Sequence, residues 1–173
     1  MRGDVARAAE IVGAAPTPAA RAELLAYADT GGWTALHYAC SLTRSDEDAA
    51  LALVELLLGA GADPLACCRR RQFSDLDYQP IHWAAQWSAR LVQRLVQAGA
   101  SIDGDVAGNS TLRCAAGASC ARGVCMISAL VALGARETLG NEAMVAFACW
   151  PVEGAPPSDE EMRVALTALV SAG

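Results

Sequence analysis

The side chains of this 173-residue chain that could move a proton or hold a metal are few. His37 and His82 are its two histidines, and imidazole is the usual general base and metal ligand near neutral pH. Cys67 and Cys68 stand beside Arg69, Arg70 and Arg71, an electropositive setting of the kind that lowers a thiol pKa and would suit a redox sensor. The plainer reading is two loop thiols next to a solvated charge run. Cys114, Cys120 and Cys125 come nearest to a metal cluster, but two histidines and one further close pair of cysteines are a poor donor set for zinc, so no metal is expected. The spacings GxxxxGK[ST], HExxH and GxSxG are absent, and Gly59-Ala60-Gly61 reads as a helix end rather than a dinucleotide loop. The chain is therefore expected to be no enzyme and to carry no cofactor. A thiol-based redox sensor, or an enzyme-associated regulatory subunit using Cys67 and Cys68, stands as the alternative.

Composition bounds the partners. With 54% hydrophobic residues and a net charge of −6, the chain has the apolar content to order itself. At this length a single domain buries roughly 70% of its unfolded surface without a metal or disulfide framework. The acidic balance opposes nucleic acid, whose phosphates need clustered Lys and Arg. Asp4, Arg7 and Glu10 interrupt any signal-peptide core, and the longest apolar run, Gly123 to Ala135, is too short to span a bilayer. Seven cysteines, an odd number without framework spacing, fit free thiols in a reducing compartment. These features predict a soluble intracellular protein, cytoplasmic or nuclear, that binds neither membrane nor nucleic acid.

Self-similarity organises the rest. Thr34-Ala35-Leu36-His37-Tyr38-Ala39-Cys40 aligns with Gln79-Pro80-Ile81-His82-Trp83-Ala84-Ala85 and with Ser110-Thr111-Leu112-Arg113-Cys114-Ala115-Ala116. Ala143-Met144-Val145-Ala146-Phe147-Ala148-Cys149 aligns more weakly. Their fourth positions lie 45, 31 and 33 residues apart, around the roughly 33-residue period of a stacked array. A second apolar stretch ending in glycine follows each: Leu53 to Gly61, Leu91 to Gly99, Ile127 to Gly134 and Val164 to Gly173. Its apolar residues recur at helical spacing, and the glycine falls where a left-handed C-terminal cap is wanted. Each unit is a helix, a turn and a second helix.

Residues 3 to 13 and 18 to 28 read as two further helices separated by Pro16-Thr17-Pro18. Ser45, followed by Asp46, Glu47 and Asp48, is the expected N-cap of the first unit's second helix. Ser158 with Glu161 forms a capping-box pattern that restarts the last helix after Pro151 to Pro157.

The repeated segments resemble the ankyrin repeat, whose signature reads T-P-L-H-x-A-A and whose second helix ends near G-A-D. Gly61-Ala62-Asp63-Pro64 and Gly99-Ala100-Ser101-Ile102 follow that exit. Asp29-Thr30-Gly31-Gly32-Trp33-Thr34 and Asp105-Val106-Ala107-Gly108-Asn109-Ser110 are similar to the lead-in, where an Asp and a Gly shape the hairpin turn. The resemblance implies an all-α solenoid of helix-turn-helix repeats with short hairpin loops. Residues 1–28 would form an N-terminal helical cap, and repeats would span roughly 29–73, 74–104, 105–137 and 138–173 of one continuous domain. The hairpin between Gly61 and His82 is lengthened by about six residues relative to the usual unit and holds the arginine run.

The resemblance also implies roles. His37 and His82 become structural residues bonded to backbone of the hairpin turn, and Arg113 departs from the family at that place. Cys40 and Cys149 become small core fillers. Positions just before the signature and just after its two alanines line the concave face, which assigns Trp33, Leu76, Tyr78, Trp87 and Trp150 to a partner surface. Tyr38, Trp83, Cys114 and Phe147 fall on the stacking side and are expected to pack. Trp is the residue most enriched in interface hot spots, so the expected function is a non-catalytic module or adaptor that binds another protein. Arg69, Arg70 and Arg71 form a basic finger suited to an acidic segment. The apolar C-terminal helix leaves open a homo-oligomer or a place within a larger chain.

Overall fold

A computed structural model describes residues 5–42, 46–69, 77–104, 106, 109–118, 120–136 and 158–172. The fourth signature, the arginines Arg70 and Arg71, and the proposed anchors Leu76 and Trp150 lie outside these residues.

The chain begins with α1 (Val5–Gly13) and α2 (Pro18–Ala26), the second capped by Thr17, whose hydroxyl accepts from Ala20 N–H at 3.0 Å. Tyr27 leaves helical backbone and Ala28 bridges Thr34, so α2 ends short of the expected residue 28. Two rows of helices follow. The inner row is α3 (Ala35–Ser41), α5 (Pro80–Ala84) and α7 (Thr111–Ala116), packed in that order. The outer row is α4 (Glu47–Gly59), α6 (Ala89–Gln97) and α8 (Cys120–Ala132), again in order, with α9 (Asp159–Ala172) against α8. Inner helices of five to seven residues are too short to stand alone in water, so stacking supplies their stability.

The same register recurs from unit to unit. Leu36, Ile81 and Leu112, the third residues of the aligned signatures, are all fully buried, as are Ala39, Ala84 and Ala115. In the outer helices Val54 and Leu57, Val92 and Leu95, and Ile127 and Leu130 fill equivalent buried places. Each outer helix then ends in the same cap: Gly61, Gly99 and Gly134 have φ of +100°, +105° and +97°. The next residue's N–H (Ala62, Ala100, Ala135) donates back to the carbonyl of Leu57, Leu95 and Leu130, at 2.9, 3.0 and 3.0 Å. The glycine-terminated pattern is thus a set of superposable helix exits.

Two local details differ from expectation. Asp46, not Ser45, caps α4: its carboxylate accepts from Ala49 N–H at 3.0 Å, which leaves Glu47 and Asp48 in the first turn where the helix dipole favours them. The lengthened hairpin is a small antiparallel ribbon, β1 (Cys68–Arg69) on β2 (Asp77–Tyr78), with Cys68 opposite Tyr78 and Arg69 opposite Asp77. The capping box at α9 is formed as expected, Ser158 N–H donating to Glu161 Oε2 at 2.8 Å and Glu161 N–H to Ser158 Oγ at 3.3 Å. Among the described residues no helix is long and apolar enough to cross a membrane.

Candidate functional site

The two histidines are enclosed in the stack. The backbone N–H of Thr34 donates to His37 Nδ1 at 3.2 Å, which places the ring proton on Nε2; that N–H donates to the Tyr78 carbonyl of the next hairpin at 3.1 Å. His82 repeats the arrangement one unit on. Gln79 N–H donates to its Nδ1 at 2.8 Å, and its Nε2–H to the Gly104 carbonyl at 2.5 Å. Each ring joins its own helix start to the following hairpin. Burial holds both pKa values down, His82 to about 4, so both rings are neutral at physiological pH with no nitrogen left for proton transfer.

In the third unit the side-chain bonds run backward, from its own hairpin to the preceding one. Asn109 Nδ2 donates to the Asp77 carbonyl at 3.3 Å and the Cys114 thiol donates to Asn109 Oδ1 at 3.2 Å. Arg113 is half-buried, and its backbone N–H donates to Ser110 Oγ at 3.1 Å.

The cysteines divide by burial. Cys68 is buried and burial pushes its thiol up to about 11, against a smaller opposing hydrogen bond from Trp83. This supports the plainer reading of Cys68 over the alternative of an activated thiol: the side chain is buried, and desolvation disfavours its thiolate. Cys40 and Cys114 are buried and raised as well, Cys114 to about 12, while Cys67 and Cys125 are exposed. Among the described residues no group of three His, Cys, Asp or Glu side chains could hold a metal ion.

What the fold brings together is aromatic. Trp33, on the first hairpin, has its ring centroid 4.5 Å from Trp83 of α5 and 5.0 Å from Tyr38 of α3; Tyr78 of β2 lies 5.5 Å from Trp83. Trp83 is buried, whereas Trp33 and Tyr78 are partly exposed. Tyr38, expected to pack, is half exposed, because its hydroxyl turns out to Asp29 Oδ2 at 2.5 Å. Asp29 Oδ1 accepts from the N–H groups of Gly31 and Trp33 at 2.8 and 2.9 Å, the turn role read from the sequence. The Tyr38 hydroxyl first, then the Trp33 and Gly31 amides, hold this exposed carboxyl below its ordinary range. Trp87, in the turn after α5, is partly exposed. Sequence reasoning singled out Trp33 and Tyr78 but not their neighbours Tyr38 and Asp29. The signal was available in part, since Asp29 and Tyr38 flank Trp33 in adjacent elements.

Along the outer face, Ser88 donates to Glu47 at 2.5 Å, and the pairs Arg90–Asp48 and Arg94–Glu55 join α6 to α4 at 3.0 and 3.3 Å. These pairs are exposed and add little stability.

Residues 31–69 match the family model described as ankyrin repeat, a span that lies within the first repeat read from the sequence. No curated protein matches the chain. Ankyrin repeats are a general protein–protein interaction module. The matched segment is similar to an ankyrin repeat, and helix pairs in the same register continue it on its C-terminal side, as in an all-α ankyrin-like stack.

Proposed function

We propose that the chain is a non-catalytic interaction module or adaptor that binds a protein partner through its concave face and hairpins. Trp33, Leu76, Tyr78, Trp87 and Trp150 are the anchors, and Arg69, Arg70 and Arg71 orient an acidic segment of the partner. Residues 1–28 cap one continuous domain of about four repeats, roughly 29–73, 74–104, 105–137 and 138–173. The site of action is intracellular, in cytoplasm or nucleus. The observation that carries the reading is a division of labour. Leu36, Ile81, Leu112 and the outer Leu57, Leu95 and Leu130 are sealed in the stack, while Trp33 and Tyr78, which pack against it on one side, and Trp87 keep part of their surface in solvent. Rings of this size left wet mark a surface rather than a core.

The test is affinity capture with the intact chain and its Tyr78→Ala and Trp87→Ala variants, alongside urea unfolding. The reading expects capture of a given partner to fall at least about tenfold while unfolding midpoints move little. Unchanged capture, or equal loss of capture and stability, overturns it.

A further inference from the structure

The aromatic patch at the first hairpin has a charge at its edge. Asp29 is exposed, and its carboxylate and the Trp33 indole stand on either side of a residue with no side chain. A Cβ placed on Gly31 would lie 3.3 Å from Asp29 Oδ1 and 3.3 Å from Trp33 Cδ1, so glycine keeps the gap between carboxylate and ring open. Tyr38, half exposed, closes one side, its ring tilted 48° to Trp33 with centroids 5.0 Å apart.

Asp29 is also nearly saturated. Oδ1 accepts two backbone N–H bonds and Oδ2 one from the Tyr38 hydroxyl, which leaves room on Oδ2 for a single further donor. A flat cation giving one N–H to Oδ2 while lying on the rings fits that arrangement, and guanidinium is the side-chain group of that shape. The net charge of −6 favours approach of a cation.

We propose that the Trp33–Tyr38–Asp29 corner receives an arginine side chain of the protein partner. The proposal rests on the concave-face reading for its partner, but it concerns this corner alone and can fail separately.

The probe is the tripeptide acetyl-Gly-Arg-Gly-amide, titrated into the full chain while the indole N–H resonances are followed by NMR. Its citrulline counterpart, the same shape without charge, is the control. Saturable shifts confined to Trp33 are expected, in the millimolar range suited to one side chain, with citrulline at least about fivefold weaker. Asp29→Asn, which can keep both turn hydrogen bonds, is expected to weaken the arginine peptide at least about threefold with the unfolding midpoint unchanged. Tyr38→Phe keeps the ring and frees a site on Oδ2, so binding is retained or strengthened. The absence of Trp33 shifts, equal binding of citrulline, or loss of binding in Tyr38→Phe overturns the proposal. A partner protein released by Trp87→Ala but held unchanged by Asp29→Asn overturns the arginine corner and leaves the concave-face reading standing.

Discussion

His82 and Gly104 meet across two repeats: the imidazole Nε2–H donates to the Gly104 carbonyl at 2.5 Å, and the glycine holds φ of +59° to present it. The other ring nitrogen, Nδ1, accepts from Gln79 N–H, and that second bond exists only while Nδ1 carries no proton. Fold and titration are coupled at this point.

Stability should therefore fall with acid in a defined window. The folded pKa of His82 is about 4 against 6.5 for an unperturbed imidazole, so between these values the unfolded chain binds more protons and unfolding is favoured as pH drops. The full contribution is present above pH 6.5 and is lost progressively toward pH 4, amounting to about 3 kcal/mol; His37, also lowered, acts in the same direction. Urea midpoints at pH 7.5 and 4.5 measure it. A His82→Gln variant should show a flatter profile between them, and an unchanged slope would contradict the role.

Gly104→Ala should be among the most damaging single changes in the hairpins. Its Cβ would lie 2.9 Å from His82 Nε2 and 2.9 Å from Thr111 Cγ2, on backbone that L-residues rarely adopt, for a cost of about 2 to 4 kcal/mol. Gly59→Ala is the matched control, because nothing lies within 4 Å of its Cβ and Ala favours helix by about 1 kcal/mol. Denaturant midpoints should move in opposite directions.

Leu95 is fully buried at the centre of the outer row, between Leu57 and Leu130 in equivalent places. Leu95→Ala should destabilise by about 2 to 5 kcal/mol, measured by urea unfolding. Exposed Gln93 on the same helix should tolerate Ala within about 0.5 kcal/mol.

Thiol labelling should follow burial and not sequence neighbourhood. At pH 8 exposed Cys67 and Cys125 should react with iodoacetamide well before Cys68, Cys114 and Cys40, as peptide mass spectrometry would resolve. Cys68 labelling as fast as Cys67 would revive a redox role.

The repeat was legible because its positions carry distinct constraints. In the first three units a leucine or isoleucine before the fourth position, small residues two and three places after it and a glycine at the helix exit are demanded by stacking and by left-handed backbone. Less legible was whatever depends on where side chains turn after stacking. Tyr38 sits inside the signature, yet its hydroxyl finds Asp29 and draws the ring outward. Cys68 neighbours arginine in sequence, yet strand alternation sends it inward toward Trp83. Ser45 and Asp46 are both competent caps, and composition alone does not choose between them.

The most direct test of the account is site-specific photo-cross-linking in lysate with a photoreactive phenylalanine analogue at position 87, on the proposed concave face, or at position 93, on an exposed side of α6. The account predicts a discrete cross-linked protein from position 87 that is missing from position 93 and is competed by unlabelled chain. The same adduct from both positions, or only from position 93, would contradict it.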